Sequence, residues 1–153
     1  ALENKTTKSI VYSQWTSMLS LLESCLASVG IKYSRMDGSM NSNKKSEAIA
    51  RFKEDPEVTV LLLSLKAGGV GLNLTEATHV FMMDLWWNPT VEQQAFDRVH
   101  RIGQTKPVFI HRLLMKNSFE QRVLERQEKK KQLAQNVLHT SKDRVFMLTM
   151  KDF

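Results

Sequence analysis

The segment that most constrains the fold is the apolar run Val58-Thr59-Val60-Leu61-Leu62-Leu63. It is short for a helix and too uniformly apolar for a strand with one solvated face, so it is typical of a central strand buried on both sides. Further strands are predicted at 9–13, 32–36, 80–83 and 108–113, and helices at 15–29, 44–52 and 91–101. Strands that alternate with helices predict an α/β fold, a parallel sheet with helices on both faces.

Composition and charge set limits on function. The chain has 153 residues, of which 42% are hydrophobic and 25% charged, as is typical of one globular domain. No apolar run approaches the ~20 residues of a membrane span, so no membrane partner is expected. The histidines are too scattered for a zinc site, and no metal site is predicted. A net charge of +6 permits nucleic-acid binding without establishing it.

The chain divides into three predicted parts: a leader at 1–7, the α/β domain at 8–116, and a C-terminal helix and tail at 117–153. The long charged helix is expected to run from Ser118 to about Leu138, with its lysine run as a solvated face in preference to the alternative of a DNA contact. The first residues lack an initiator Met and a signal peptide, so we expect a piece of a longer intracellular chain. The single cysteine, Cys25, is expected to be a buried small hydrophobe.

Two arginines, Arg98 and Arg101, stand three residues apart. If 91–101 is a helix, Gln94, Arg98 and Arg101 lie on one face. A guanidinium pairs with two phosphate oxygens at once, so such a face suits an anionic ligand. The alternative is a solvated helix face balanced by Asp97, and the residues alone leave both interpretations open.

Ligands of parallel sheets bind at the carboxyl ends of the strands, where this sequence places glycine, polar and aromatic residues. The run Gly68-Gly69-Val70-Gly71 follows the most apolar strand, and its backbone amides could form an anion nest. Ordinary turn, helix-terminus or aromatic packing chemistry is the alternative for every such segment. The other segments are Ser13-Gln14, Asp37-Gly38-Ser39 and Asp84 to Pro89.

Taken in order, these segments resemble the signature motifs of superfamily-two helicase-like ATPases, specifically the Swi/Snf class of DNA translocases. Gln-Ala-x-Asp-Arg-x-x-Arg-Ile-Gly-Gln at 94–104 resembles the last motif. It closes as in the Swi/Snf class, whereas DEAD-box RNA helicases typically end in His-Arg-x-Gly-Arg. Residues 64–74 are similar to the DNA-repair and transcription-termination subgroup, and residues 128–134 resemble the bracing helix beyond the lobe. The resemblance implies a RecA-like sheet followed by a long C-terminal helix, as the second motor lobe of an ATP-dependent double-stranded DNA translocase.

The resemblance also implies roles for individual residues. Arg98 and Arg101 would be catalytic, with Arg101 as the arginine finger, and Gln94, Gly69 and Gly71 would contact the nucleotide beside them. The implied DNA contacts are Ser13, Gln14, Asp37, Gly38, Ser39, Ser64, Lys66, Ala67, Gly68, Trp87 and Asn88. The sequence departs from the family pattern where Leu65 and Lys45 replace the usual Thr and Arg.

The sequence contains neither a Gly-x-x-x-x-Gly-Lys-Ser/Thr phosphate loop nor an Asp-Glu pair after a strand to hold magnesium. ATP with Mg²⁺ is therefore expected to be held mainly by a first RecA-like lobe of the same protein, and the isolated chain is expected to be inactive. Double-stranded DNA, that first lobe and nucleosomes are the implied partners, in the nucleus. Two alternatives are an RNA helicase lobe, against which Gln104 and Trp87-Asn88-Pro89 argue, and a non-enzymatic basic interaction module.

Overall fold

A computed structural model of the chain describes residues 7–67, 72–130 and 132. The strands are β1 (Lys8–Ser13), β2 (Lys32–Met36), β3 (Val58–Ser64), β4 (Ala77–Met82) and β5 (Phe109–Arg112). The helices are α1 (Thr16–Ser28), α2 (Ser42–Glu54) and α3 (Pro89–Phe96). Residues 119–130 are also helical and are called the C-terminal helix below. The predicted continuation of that helix to Leu138 lies outside the described residues, and the domain boundaries at 7/8 and 116/117 stay predictions.

The five strands form one parallel sheet in the order β2-β3-β1-β4-β5, which confirms the predicted fold class. The apolar run at 58–63 lies in β3, which is placed between β2 and β1 with Leu61, Leu62 and Leu63 fully buried. Val58 is buried as well, so β3 has no solvated face along most of its length. Burial on both faces explains why this strand lacks the alternation of polar and apolar residues.

Helices cover both faces of the sheet because the chain reverses its direction across it. The connection from β1 to β2 runs one way, and those from β2 to β3 and from β4 to β5 run the other way. Right-handed crossovers therefore place α1 on one face and α2 with α3 on the other. The main core lies on the second side, where Phe52 of α2 and Phe96 of α3 pack against alternate strand residues.

Helix α1 packs more shallowly than its apolar pattern predicts. Leu19 is its one buried side chain, while Leu21 is 65% exposed and Trp15, which precedes the helix, is 60% exposed. Cys25 is exposed, so the prediction of a buried cysteine is wrong. The helix contacts the sheet through a stripe narrower than its run of apolar residues, and Cys25 lies outside that stripe.

Helix α3 ends at Phe96, so the prediction of a helix through Arg101 is wrong. The following residues form tighter turns, in which the Val99 N–H donates to the Phe96 carbonyl at 3.0 Å. The Arg98 carbonyl accepts the N–H of Leu74, at 3.0 Å, from the segment before β4. This tertiary bond occupies the acceptor that a continuing helix would use, and it draws the fully buried Val99 into the core.

None of the helices in the described part of the chain combines the length and apolar character needed to cross a membrane. Nor do three or more His, Cys, Asp or Glu side chains come together there as a metal site would require.

Candidate functional site

The parallel register brings the ends of four strands to one edge of the sheet. Ser13 at the end of β1 is aligned with Ser64 at the end of β3, and Met36 at the end of β2 with Leu63. The Met83 N–H donates to the Tyr12 carbonyl at 2.9 Å, which fixes the end of β4 at the same level. The loops predicted to contact DNA therefore leave the sheet side by side, although they are far apart in sequence.

Ser13 is fully buried and organises this edge. Its hydroxyl donates to one Asp84 carboxylate oxygen, and the Gln14 N–H donates to the other at 3.0 Å. The Gln14 side chain is half-buried, with its amide 3.5 Å from the Leu85 carbonyl. Asp84 thus links the end of β1 to the loop after β4 and fixes the position of each relative to the other. DNA contacts by Ser13 and Gln14 stay predictions.

The loop after β2 is organised by the carboxylate of Asp37. It accepts hydrogen bonds from the Ser39 hydroxyl at 2.5 Å and N–H at 2.9 Å, and it pairs with the Arg35 guanidinium at 2.8 Å. The Ser39 hydroxyl contributes most to lowering the pKa of Asp37; burial opposes the shift, and the Ser39 N–H and Arg35 reinforce it. Gly38 and Ser39 are exposed, and a side chain at Gly38 would meet no atom within 4 Å. The backbone here is open to an approaching ligand.

The loop after β3 begins with a tight turn. The Leu65 N–H donates to the Ser13 carbonyl at 3.0 Å, and the Ala67 N–H donates to the Ser64 carbonyl at 2.9 Å. Ser64 and Ala67 are buried, while Lys66 is exposed. The predicted DNA contact at Gly68 and the predicted nucleotide contacts at Gly69 and Gly71 fall outside the described residues.

The aromatic segment after β4 presents Trp87 on the surface. The Trp87 side chain is 64% exposed, so the alternative that this ring belongs to the core is wrong. Its neighbour Asn88 caps α3, because its side-chain oxygen accepts the Thr90 N–H at 3.2 Å, and Pro89 occupies the first helical position. The cap fixes where α3 starts and therefore the loop from which Trp87 projects.

The two arginines differ in environment. Arg98 is partly buried, and its Nε is a buried donor with no hydrogen-bond acceptor among the described residues. It lies near Tyr12, whose pKa is raised by burial against the opposing charge of Arg98. Arg101 is exposed, as is Gln94. Because α3 ends before both arginines, the predicted common helical face with Gln94 does not exist.

Gln104 has a structural role that the sequence did not reveal. Its side-chain amide donates to the carbonyls of Thr75 and Ala77, both at 3.0 Å, and its oxygen accepts the Lys106 N–H at 3.0 Å. Gly103 before it adopts φ +103°, a conformation that a residue with a side chain rarely takes. This pair fastens the turn that carries Arg101 to the start of β4.

Glu92 and Gln127 are also missing from the sequence predictions. Glu92 on α3 is fully buried, and its carboxylate accepts the Gln127 side-chain amide at 3.0 Å from the C-terminal helix. The two residues are 35 positions apart. A carboxylate on an amphipathic helix is normally solvated, so local periodicity gives no signal for this contact.

Comparisons with known proteins agree with this architecture. Residues 1–103 match the helicase conserved C-terminal domain. Helicase-like transcription factor CHR28 of Arabidopsis thaliana is 49% identical over 126 residues, which cover 82% of this chain and 13% of that protein. DNA repair protein rad8 of Schizosaccharomyces pombe is 50% identical over 123 residues, which cover 80% of this chain and 11% of that protein. The crystal structure of the C-terminal part of the Fun30 ATPase domain matches with a TM-score of 0.77 at 39% identity, over 81% of this chain and 40% of that one.

The chain thus spans a small part of the length of its relatives, 13% of CHR28 and 11% of rad8. The segment that matches the family, residues 1–103, nevertheless includes both motif arginines and strands β1 to β4. Only β5 lies beyond it among the five strands. The match to Fun30 extends the agreement to the three-dimensional fold, at an identity of 39%. The chain belongs to the helicase conserved C-terminal domain family, in which its relatives are Swi/Snf-type helicases, and it has their RecA-like fold.

Proposed function

We propose that this chain is the second motor lobe of an ATP-dependent double-stranded DNA translocase of the chromatin-remodelling or DNA-repair type. The relatives support this function: CHR28 is a helicase-like transcription factor, rad8 is a DNA repair protein, and the Fun30 segment belongs to an ATPase domain. Such a protein acts on chromosomal DNA, so its place is the nucleus, and nucleosomes are candidate partners.

The observation that carries the proposal is the state of the two arginines. Arg98 holds a buried donor without an acceptor in the described residues, and Arg101 is exposed. A buried donor without a partner is costly, and a ligand oxygen would satisfy it. Arginines that lack partners among the described residues of their own lobe are suited to pair with an anionic group that is bound by a second lobe.

The proposed nucleotide is ATP with Mg²⁺, held mainly by the first RecA-like lobe of the same protein, because the phosphate loop is absent from this sequence. ATP supplies the γ-phosphoryl group, and its transfer to water releases the energy for movement. Arg98 and Arg101 would offset the negative charge that develops on that group as the two lobes close. Gln94, Gly69 and Gly71 are the further proposed contacts to the nucleotide.

The proposed DNA surface is the carboxyl edge of the sheet. Gly38, Ser39, Lys66 and Trp87 are exposed there and could reach a duplex directly. Ser13, Asp37, Ser64 and Ala67 are buried, so they would act mainly by holding the loop backbones in place. Gln14, Gly68 and Asn88 complete the proposed set. Contacts of this kind to phosphates position a protein on DNA without selecting a base sequence.

The test compares ATP hydrolysis by the complete protein that contains this chain with hydrolysis by the chain alone. The complete protein should be stimulated equally by two duplex DNAs of unrelated sequence, and DNA binding should weaken steeply as salt rises. The chain alone should not exceed a buffer control. Stimulation by RNA alone would indicate an RNA helicase lobe, and a complete protein without ATPase activity would indicate a non-enzymatic basic module.

A further inference from the structure

Glu92 is a charged side chain in a fully buried position on α3. One of its carboxylate oxygens accepts the Trp86 N–H at 2.9 Å and the Gln127 side-chain amide at 3.0 Å. The other oxygen lies 3.2 Å from the Arg112 guanidinium. A buried carboxylate is strongly unfavourable unless it is paired, so each of these partners contributes to keeping Glu92 in place.

Gln127 is the one buried side chain among residues 119–130 of the C-terminal helix. Its amide donates to the Trp86 carbonyl as well as to Glu92. Phe119 of the same helix is 69% exposed, and Val123 and Leu124 are only half-buried. In the described part of this helix the one fully buried contact to the lobe is thus made by a polar side chain, with Val123 and Leu124 partly covered beside it.

The Trp86 contacts determine the position of Trp87. The Trp86 carbonyl and the Trp87 nitrogen belong to one planar peptide group, so the hydrogen bond from Gln127 fixes the plane from which Trp87 continues. Lys130, three residues after Gln127, lies on the same face of the helix. Its ammonium group is 5.4 Å from the centre of the Trp87 ring. The C-terminal helix therefore contacts both the backbone that carries Trp87 and the ring itself.

We propose that Glu92 and Gln127 are positioning residues that make the orientation of Trp87 depend on the docking of the C-terminal helix. When the helix is seated, Glu92 and Gln127 hold the N–H and the carbonyl of Trp86 from opposite elements, and Trp87 is presented at the carboxyl edge of the sheet. When the helix moves away, the Trp86–Trp87 peptide loses its donor and the ring loses Lys130. The C-terminal helix would thereby control the affinity of the lobe for DNA. This proposal rests on the function proposed above, in which Trp87 contacts DNA.

The network also leaves room for such a change. The second Glu92 oxygen is buried and paired with the charge of Arg112, but it accepts no well-aligned hydrogen bond from the described residues, and the buried Gln127 side-chain oxygen accepts none either. An unsatisfied buried acceptor offsets part of what the made hydrogen bonds contribute. The docked position of the C-terminal helix is thus less stable than it would be with a fully hydrogen-bonded network. A helix that docks and undocks during function requires such a small difference in stability.

The test uses the complete protein with Gln127→Met, which keeps the side-chain volume but removes both donated hydrogen bonds. Gln121→Met is the matched control, because Gln121 is an exposed glutamine on the same helix. The measured quantities are the duplex DNA concentration for half-maximal ATPase stimulation, the KM for ATP, and the base pairs moved per ATP. Gln127→Met should raise the DNA concentration about tenfold and lower the base pairs per ATP several-fold, with the KM for ATP within twofold of the parent. Gln121→Met should match the parent in all three.

A purely structural role for Gln127 would lower the folded fraction and the maximal rate without changing the half-saturating DNA concentration, and that result would overturn the proposal. If Gln127→Met does not fold, Lys130→Met provides the second test, since Lys130 is exposed and the change keeps the aliphatic stem. It should shift the DNA dependence in the same direction by about threefold, and no shift would overturn the proposal. A parent protein without DNA-stimulated hydrolysis would instead contradict the proposed function.

Discussion

The exposure of Trp87 predicts that Trp87→Ala separates function from stability. Truncation of a fully buried Trp typically costs about 3–5 kcal/mol of unfolding free energy. The Trp87 side chain is 64% exposed, so roughly a third of that cost, or about 1–2 kcal/mol, is expected from packing. The contact with Lys130 adds about 0.5–1 kcal/mol, the usual size of an exposed cation–π pair. The variant should therefore remain folded at room temperature.

The functional effect should be larger than the effect on stability. If the ring lies at the DNA, the complete protein with Trp87→Ala should hydrolyse ATP but move several-fold fewer base pairs for each ATP. Thermal unfolding measures the change in stability. A translocation assay run beside an ATPase assay measures the number of base pairs moved per ATP. Trp15→Ala is the matched control, because Trp15 is 60% exposed and lies just before α1. A loss of more than about 3 kcal/mol of unfolding free energy, with normal coupling in the folded fraction, would instead show that Trp87 is a core residue, since that is the cost of truncating a buried Trp.

Two further predictions concern stability. Lys8→Met should lower the free energy of unfolding by about 1–3 kcal/mol in denaturant titration, because the buried ammonium donates to the carbonyls of Phe52, Lys53 and Asp55 at the end of α2. An effect no larger than that of the exposed control Lys44→Met would contradict this role. Asp37 has a lowered pKa, so its contribution is present above the ordinary aspartate value of 3.8 and is lost as pH falls through the folded pKa. Asp37→Asn should therefore lower the free energy of unfolding by about 1–2 kcal/mol near pH 7, and by progressively less in acid. If parent and variant differ in unfolding free energy by the same amount at pH 7 and in acid, the carboxylate of Asp37 does not contribute in this way.

The sequence was sufficient to predict the sheet because its strongest signals are local. The apolar run at 58–63 could only be satisfied by burial on both faces, and β3 has that environment. The turn after β2 followed from Asp37-Gly38-Ser39, and parallel pairing then required the loops after the strands to gather at one edge.

The features that could not be predicted depend on contacts between distant residues. The end of α3 is set by the bond from Leu74 to Arg98, and periodicity carries no information about it. The burial of Glu92 requires Gln127, which comes from another helix. Cys25 occupies an apolar stretch, but the sheet is covered by only a narrow stripe of that helix. In each case tertiary contacts override the local pattern.

Arg101 provides the most direct test of the proposed function. The measurement is duplex-stimulated ATP hydrolysis by the complete protein with Arg101→Ala, beside Arg122→Ala as an exposed arginine control on the C-terminal helix. An arginine finger typically contributes about 10³ to 10⁵ in turnover, so Arg101→Ala should nearly abolish hydrolysis while DNA binding persists. Arg101→Lys should restore it only partly, because an ammonium keeps the charge but loses the two-pronged geometry. Hydrolysis within a few-fold of the parent by a folded Arg101→Ala protein would contradict the proposed function.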